Sequence, residues 1–258
     1  MTEELRLHIQ DGIATLTMNR PERRNAMNRA MLTGLVEHFE ALDSNPEVRV
    51  VVVRGEGPGF CSGMDLREMR QRQDDPKGDP ESGVTQVLQR VERSRHPTIA
   101  MVHGDAIAGG CELALHCDLR VAAEGARFGM PLARIGLLVP FALGQKLLEI
   151  LGPAHTRHLL FTGRPIEARR AYEIGMVHQL VAPSEIESAT YTLARQIAEN
   201  APLSLAGMKA AIARMLSLRA QIPHEDIDAL ARQAHRSEDA KEGAAAMLEK
   251  RKPAFKGR

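Results

Sequence analysis

The stretch from Thr98 to Glu112, TIAMVHGDAIAGGCE, constrains the fold of this chain more than any other. It opens with an apolar, partly β-branched run over 98–102, which predicts a buried strand. The AGGCE segment at 108–112 then predicts the first turn of a helix. Because the first turn of a helix has no internal partners for its N–H groups, we expect a strand–turn–helix unit that leaves backbone amides free.

Free amides at the start of a helix form a site for negative charge, and the helix dipole adds to the attraction. A carbonyl oxygen held by the Gly109 amide would be polarised there, with the carboxyl of Glu112 about one turn away. That combination is suited to proton transfer next to a carbonyl. The alternative for Glu112 is that it only complements the helix dipole. Asp105, between the strand and the glycines, is a candidate second acid.

A second amide donor is predicted at Met64, in the FCSGMD segment that follows another buried strand. Two amides that converge on one oxygen form an oxyanion hole. The preceding GEGPG segment, 55–59, lacks the rest of a nucleotide-binding fingerprint, so it does not predict a dinucleotide site. Cys61 has no histidine placed to pair with it, which favours a buried structural cysteine over a nucleophile.

Composition excludes several classes of function. The 258 residues carry a net charge of +1 with no Trp, two Tyr and six Phe, so we expect no nucleic-acid partner. Three cysteines without CxxC spacing are typical of a reducing compartment. No signal peptide or membrane-length apolar run is visible. We therefore predict a cytoplasmic protein without membrane insertion, and no metal site.

The pattern of elements predicts an α/β fold. Alternating residues at 5–9 and 13–18 around Asp11-Gly12 predict a hairpin, and 48–53 a deeply buried strand. Strands and helices alternate up to about residue 140, and the rest is mostly helical. The charged segment 67–83 predicts a surface loop after a short helix. We expect a core over 1–200 and a helical oligomerisation region over 201–258.

Several segments, in order along the whole chain, resemble the crotonase (enoyl-CoA hydratase/isomerase) superfamily. They are IAGGCELA at 107–114 with Cys117-Asp118, NRP at 19–21 with NAM at 25–27, FCSGMDL at 60–66, FTGR at 161–164, AYEIGMV at 171–177 and the tail at 249–258. The resemblance implies a spiral of ββα turns with C-terminal helices for trimerisation, and trimers that commonly pair into hexamers. It implies an acyl-CoA thioester as substrate and no cofactor apart from the CoA of that substrate.

The resemblance also implies roles for individual residues. By motif position, the amides of Met64 and Gly109 would hold the thioester oxygen, and Glu112 falls on one of the two catalytic acids of the hydratases. Lys252 and Phe255 lie in the tail that often approaches the CoA of a neighbouring subunit. The full set of predicted CoA and acyl contacts is Ser62, Gly63, Asp65, Gly110, Leu132, Lys252 and Phe255.

One departure from the family pattern affects the predicted chemistry. The second catalytic Glu of the family follows a Gly-x-Pro, and here that segment is Gly129-Met130-Pro131-Leu132. Leu132 cannot hold or deprotonate a water, and loss of one acid typically removes about 10²–10⁴ in rate. Asp105 or Glu124 could substitute.

Three functions therefore stay open at the level of sequence. The whole-chain resemblance favours enoyl-CoA hydration. A single carboxyl can remove and return one proton, which makes double-bond isomerisation the alternative; thioester hydrolysis ranks lower. Leu132 also allows a non-catalytic acyl-CoA binder, although a binder has no use for a carboxylate aimed at the acyl group.

Overall fold

The computed structural model describes residues 4–72, 82–217 and 222–258 as an α/β fold, which confirms the predicted class. The strands are β1 (Leu5–Gln10), β2 (Ile13–Met18), β3 (Val50–Gly55), β4 (Thr98–Val102), β5 (Ala106–Ile107), β6 (Leu119–Ala123), β7 (Arg127–Gly129), β8 (Ile166–Glu167) and β9 (Gln179–Val181). The helices are α1 (Arg29–Asp43), α2 (Leu66–Arg72), α3 (Ser82–Glu92), α4 (Gly109–His116), α5 (Phe141–Thr162), α6 (Ala168–Glu173), α7 (Ile186–Ala198), α8 (Pro202–Leu216), α9 (Glu225–Arg236) and α10 (Glu238–Glu249).

The larger sheet has the order β1-β2-β3-β4-β6-β9. The predicted hairpin is confirmed: β1 and β2 are antiparallel, whereas the remaining neighbours in this sheet are parallel. Helices cover both faces of the sheet, so β3 reads as a continuous apolar run instead of an alternating one. Val51 and Val53 pack into the core that contains α1, α3 and α4, and Val50 and Val52 pack towards α7.

A second, three-stranded sheet, β5-β7-β8, was not predicted as a separate unit. Its strands are two or three residues long, too short to give a periodic pattern. This small sheet links the turn before α4 to the segment that ends at Gly129, because β5 and β7 pair in parallel. It therefore fixes the position of the residues that precede the proposed oxyanion site.

Other helix predictions need adjustment. The mostly helical part predicted after about residue 140 begins with α5, which has a break at Gly152, where φ is +66°. The surface loop predicted over 67–83 is wrong at both ends, because α2 extends to Arg72 and α3 begins at Ser82; 73–81 lie outside the described residues. The boundary predicted at residue 200 stays a prediction, although α10 packs against the 3-10 turn Pro131–Ile135 of the core. No helix in the described ranges is long and apolar enough to cross a bilayer.

A buried arginine ties the end of α4 to the rest of the core. Arg120 is only 4 % exposed, and its guanidinium donates to the carbonyls of Cys117 (2.7 Å), Ala114 (3.2 Å) and Met176 (2.6 Å). Burial lowers the Arg120 pKa to about 10, so the group stays charged at neutral pH. Its charge also complements the negative pole at the C-terminal end of α4.

Replacing Arg120 with Met is therefore expected to lower the free energy of unfolding by about 3–5 kcal/mol, because several buried carbonyls lose their donor. Chemical denaturation at pH 7 measures the change. Arg169→Met is the control, since Arg169 is exposed and pairs with the exposed Glu124, and should change stability by about 1 kcal/mol or less. Equal effects of the two substitutions would contradict a structural role for Arg120.

Candidate active site

Two loop segments run side by side at the carboxyl ends of β3 and β4. The amides of Phe60 and Cys61 both donate to the Asp105 carbonyl at 3.1 Å, and the Ile107 amide donates to the Cys61 carbonyl at 2.9 Å. Cys61 thus forms a parallel bridge with Ala106. Three residues further along each segment, this register brings Met64 towards Gly109.

The backbone pairing of Met64 with Met27 does not use the Met64 amide. Met27 forms a parallel bridge with Met64 through its neighbours: the Met27 amide donates to Gly63 (2.7 Å), and the Asp65 amide donates to Met27 (2.9 Å). In such a bridge the N–H of the opposite residue, Met64, points away from Met27. Within the described ranges, no protein acceptor bonds to the amide of either Met64 or Gly109. Two residues whose amides have no protein acceptor therefore border the same cavity.

Small residues permit this close approach. Gly63 has a φ of +93°, and a Cβ added there would lie 3.1 Å from the Gly109 nitrogen. A Cβ on Gly110 would overlap the Cys61 carbonyl. Ala108, which precedes α4, has a φ of +50° without being glycine, a strained conformation that often occurs at functional sites. The predicted contacts at Gly63 and Gly110 are thus places where the backbone segments meet.

Glu112 lies in the first turn of α4 and is completely buried. Both of its carboxyl oxygens lack a hydrogen-bond partner in the part of the chain that the structure describes. Burial raises the pKa of the Glu112 carboxyl well above its usual range, and the positive charge of Lys146 opposes that shift. This shift favours the protonated carboxyl, and a buried carboxyl perturbed in this way beside a cavity is a candidate general acid or base.

The cavity beside Glu112 is small and apolar, with a volume of about 100 Å³. Met64, Gly109 and Glu112 border it together, as does the backbone at Ala108. Among its described lining residues, Glu112 is the one ionisable side chain and Ser62 contributes a hydroxyl. The apolar side chains in its wall are Leu66, Met69, Val84, Met130, Leu132, Ile135, Leu137, Leu143 and Met247.

Leu132 lines the same cavity as Glu112, from the 3-10 turn Pro131–Ile135. The position at which the family has its second acid therefore faces the site with a hydrocarbon side chain. The candidates for a replacement acid lie elsewhere. Asp105 forms two hydrogen bonds with Arg127, at 2.8 and 2.6 Å, and Glu124 pairs with Arg169. Neither carboxylate borders the cavity, so the hypothesis that one of them substitutes is wrong for this conformation.

Other predicted contacts also lie outside the cavity. Asp65 pairs with Arg20 at 3.3 Å and accepts a hydrogen bond from the Arg67 amide at 3.1 Å, so it anchors the loop at the start of α2. Lys252 and Phe255 border a separate cavity of about 570 Å³, next to the C-terminal tail. Met247 borders both cavities. The sequence carried no signal for Met247, because an apolar helix residue is typical of ordinary packing.

Cys61 is buried, as predicted, and its thiol donates to the Asn25 carbonyl at 3.1 Å. Burial raises its pKa to about 12, which removes the thiolate that a nucleophile needs. The Cys61 thiol therefore has a structural role in the packing of the loop.

Comparison with known proteins agrees with this geometry. The sequence profile described as enoyl-CoA hydratase/isomerase matches residues 8–258. The chain is 34 % identical to 2,3-dehydroadipyl-CoA hydratase of Escherichia coli K12 over 99 % of both chains. It is also 34 % identical to short-chain-enoyl-CoA hydratase of Clostridium acetobutylicum, over 98 % of this chain and 97 % of the relative.

A solved structure shows the same fold across its full length. The enoyl-CoA hydratase/isomerase from Pseudoalteromonas atlantica T6c superposes with a TM-score of 0.88 at 28 % identity, covering 98 % of this chain and all of that one. The predicted crotonase-like fold is thereby confirmed. The chain belongs to the enoyl-CoA hydratase/isomerase, or crotonase, family and is an acyl-CoA-processing enzyme.

Proposed function

We propose that this enzyme adds water to an enoyl-CoA by acid/base catalysis in which Glu112 is the one catalytic carboxyl. The amides of Met64 and Gly109 hold the thioester oxygen. The observation that carries the proposal is that Glu112, buried and without a partner, lines the cavity that both free amides border. A carboxyl whose oxygens have no structural partner is available to the reacting atoms.

The hydrogen bonds from the two amides draw electrons from the conjugated double bond towards the thioester oxygen. Water then attacks the β carbon while its proton passes to the Glu112 carboxylate. The same carboxyl returns a proton to the α carbon as the enolate collapses. Every proton is accounted for with a single acid, but no second carboxyl positions the water. We therefore expect hydration to be slow compared with a two-acid site.

The second candidate is a shift of the double bond between the 3- and 2-positions of the acyl chain, and Leu132 favours it. In that reaction Glu112 removes a proton from the α carbon and returns it to the γ carbon. No water takes part, so the reaction needs no polar group where the apolar side chain of Leu132 lines the cavity. The two candidates share the same oxyanion hole and the same base.

A panel of 2-enoyl-CoA and 3-enoyl-CoA esters, analysed by mass spectrometry, tests the proposal. Incubation in water enriched in heavy oxygen is expected to give a labelled hydroxyacyl-CoA product. A parallel incubation is carried out in deuterium oxide. Incorporation of deuterium without incorporation of heavy oxygen would show isomerisation and contradict hydration. Tight binding without any product across the panel would instead establish a binder and overturn both candidates.

The cavity should also discriminate against carboxylated acyl groups. A second carboxylate would enter an apolar space beside Glu112, and no cation among the described lining residues would pair with it. We expect kcat/KM for 2,3-dehydroadipyl-CoA to be at least about tenfold below that for 2-hexenoyl-CoA, which has the same length without the charge. Equal values would contradict this selectivity, even though one relative carries the dehydroadipyl name.

A homo-oligomer, trimer or hexamer, remains part of the proposal. Large apolar side chains of α8 are exposed in the single chain, among them Leu203, Met208, Ile212 and Met215. Faces of this kind are commonly covered by another subunit. The predicted cytoplasmic location likewise stays a prediction.

A further inference from the structure

The acyl cavity offers Glu112 no route for protons once a substrate is bound. Its wall consists of apolar side chains apart from Glu112 and the Ser62 hydroxyl, as far as the described residues go. A bound acyl group would displace water from this space. The proposed reactions return the proton of Glu112 to the substrate, but exchange of that proton with solvent, as in hydrogen exchange at the α carbon, then needs a polar neighbour on the other side of Glu112.

His116 lies on that other side, one turn further along α4. Its Nδ1 is 2.8 Å from the backbone carbonyl of Glu112 and 3.7 Å from the Glu112 Oε2 atom. Since a carbonyl oxygen can only accept, Nδ1 carries the proton and Nε2 is left as an acceptor. A side-chain rotation that moves Oε2 by under about 1 Å brings the two groups into hydrogen-bond range.

Two charged residues of neighbouring helices act electrostatically on the imidazole. Glu92 on α3 and Lys146 on α5 form a close ion pair, and Lys146 also contacts Glu149 at 3.3 Å. Glu92 and Lys146 act on His116 with opposite sign, and Arg120 adds a further positive charge. Burial is the dominant influence and lowers the His116 pKa to about 4, so the ring is neutral at pH 7.

Exposure increases stepwise along this series of groups. Glu112 is fully buried, His116 is 6 % exposed, and the side chain of Glu92 is 32 % exposed. Of these three titratable groups, Glu92 is therefore the one with the most solvent contact.

The geometry points to His116 as a positioning residue for the proton of Glu112: we propose that it connects the buried carboxyl to solvent on the Glu92 side. In one direction Nε2 takes up a proton from that side while Nδ1–H passes to the Glu112 carboxylate, which leaves a neutral ring. The reverse step releases the proton of Glu112. This inference rests on the proposed role of Glu112 as the acid/base.

Exchange of the α hydrogens of butanoyl-CoA, a saturated ester that cannot be hydrated, tests the relay. The wild type and the variants His116→Asn and His116→Leu are compared by following loss of deuterium and of tritium from the α carbon in ordinary water. Asn retains an N–H donor near the position of Nδ1 but cannot pass a proton on. Leu removes both properties. Thermal unfolding and butanoyl-CoA binding check that each variant is folded.

We expect both His116 variants to exchange at least roughly tenfold more slowly than the wild type. The ratio of the deuterium to the tritium rate should also fall towards one, because proton exchange at Glu112 replaces C–H cleavage as the slow step. A purely structural histidine would leave that ratio unchanged and would be rescued by Asn. If neither His116 variant folds, Glu92→Gln takes their place. Its ratio of deuterium to tritium rates should also fall towards one, and an unchanged ratio would contradict the relay.

The exchange experiment distinguishes a failure of the proposed role of Glu112 from a failure of the His116 relay. A wild type that exchanges no α hydrogen contradicts the proposed role of Glu112, and the relay with it. A wild type that exchanges, alongside folded variants with the same rate and the same isotope ratio, contradicts the relay alone.

Discussion

Substitution of Glu112 by Gln should lower kcat/KM for crotonyl-CoA and for a 3-enoyl-CoA by about 10²–10⁴ or more. Gln keeps the size and one donor–acceptor pair of the side chain but can neither take nor give a proton at neutral pH. The free amides of Met64 and Gly109 remain, so binding of butanoyl-CoA should change little. Steady-state kinetics and calorimetry measure the two effects, and unchanged turnover would remove Glu112 from the mechanism.

The pH dependence of the stability of Glu112→Gln provides a control, and the pKa shift of Glu112 predicts the direction of the change. Burial raises the pKa of Glu112 in the folded state, so the folded protein retains its proton to higher pH than the unfolded chain. The associated stability is present at low pH and is lost as pH rises towards the folded-state pKa. Glu112→Gln removes this loss, and the variant should lose less stability than the wild type between pH 5 and pH 8.

Substitution of Leu132 by Glu should increase the rate of enoyl-CoA hydration by about 10² or more. Leu132 lines the cavity with Glu112, so a carboxyl at this position would help to hold and deprotonate the attacking water. Leu132→Gln is the matched control, because it adds polarity and size without an acid. Incorporation of heavy oxygen into the hydroxyacyl product measures the gain.

The pH dependence of the Leu132→Glu variant and its comparison with Leu132→Gln test this prediction further. Two carboxyls in one apolar space share a proton, so the hydration rate of Leu132→Glu should fall at low pH, where both are protonated. Equal rates for the Glu and Gln variants would show that the missing acid is not what limits hydration.

Sequence patterns within single segments predicted several strands and helices of the fold. The apolar run at 98–102 is β4, and the segments on either side of Asp11-Gly12 form the predicted hairpin. The small residues at 108–110 do begin a helix. These elements depend on the order of neighbouring residues, which is visible in the sequence.

Contacts between segments that are far apart in the sequence could not be predicted in this way. Asp105 follows β4 directly and looked like a site residue, but Arg127, 22 positions away, occupies its carboxylate. The sequence does not single out His116 as functional, because its relation to Glu92 and Lys146 arises only when α3, α4 and α5 pack together. Leu132 could be singled out without geometry, because its significance comes from the comparison of motifs, and the structure places it in the cavity wall.

The crystal structure of the protein with butanoyl-CoA bound tests the central claim most directly. The account predicts that the thioester oxygen lies about 3 Å from the backbone nitrogens of both Met64 and Gly109, with the Glu112 carboxyl within about 3–3.5 Å of the α carbon. A thioester oxygen bonded to other groups, or a Glu112 carboxyl turned away from the acyl chain, would contradict it.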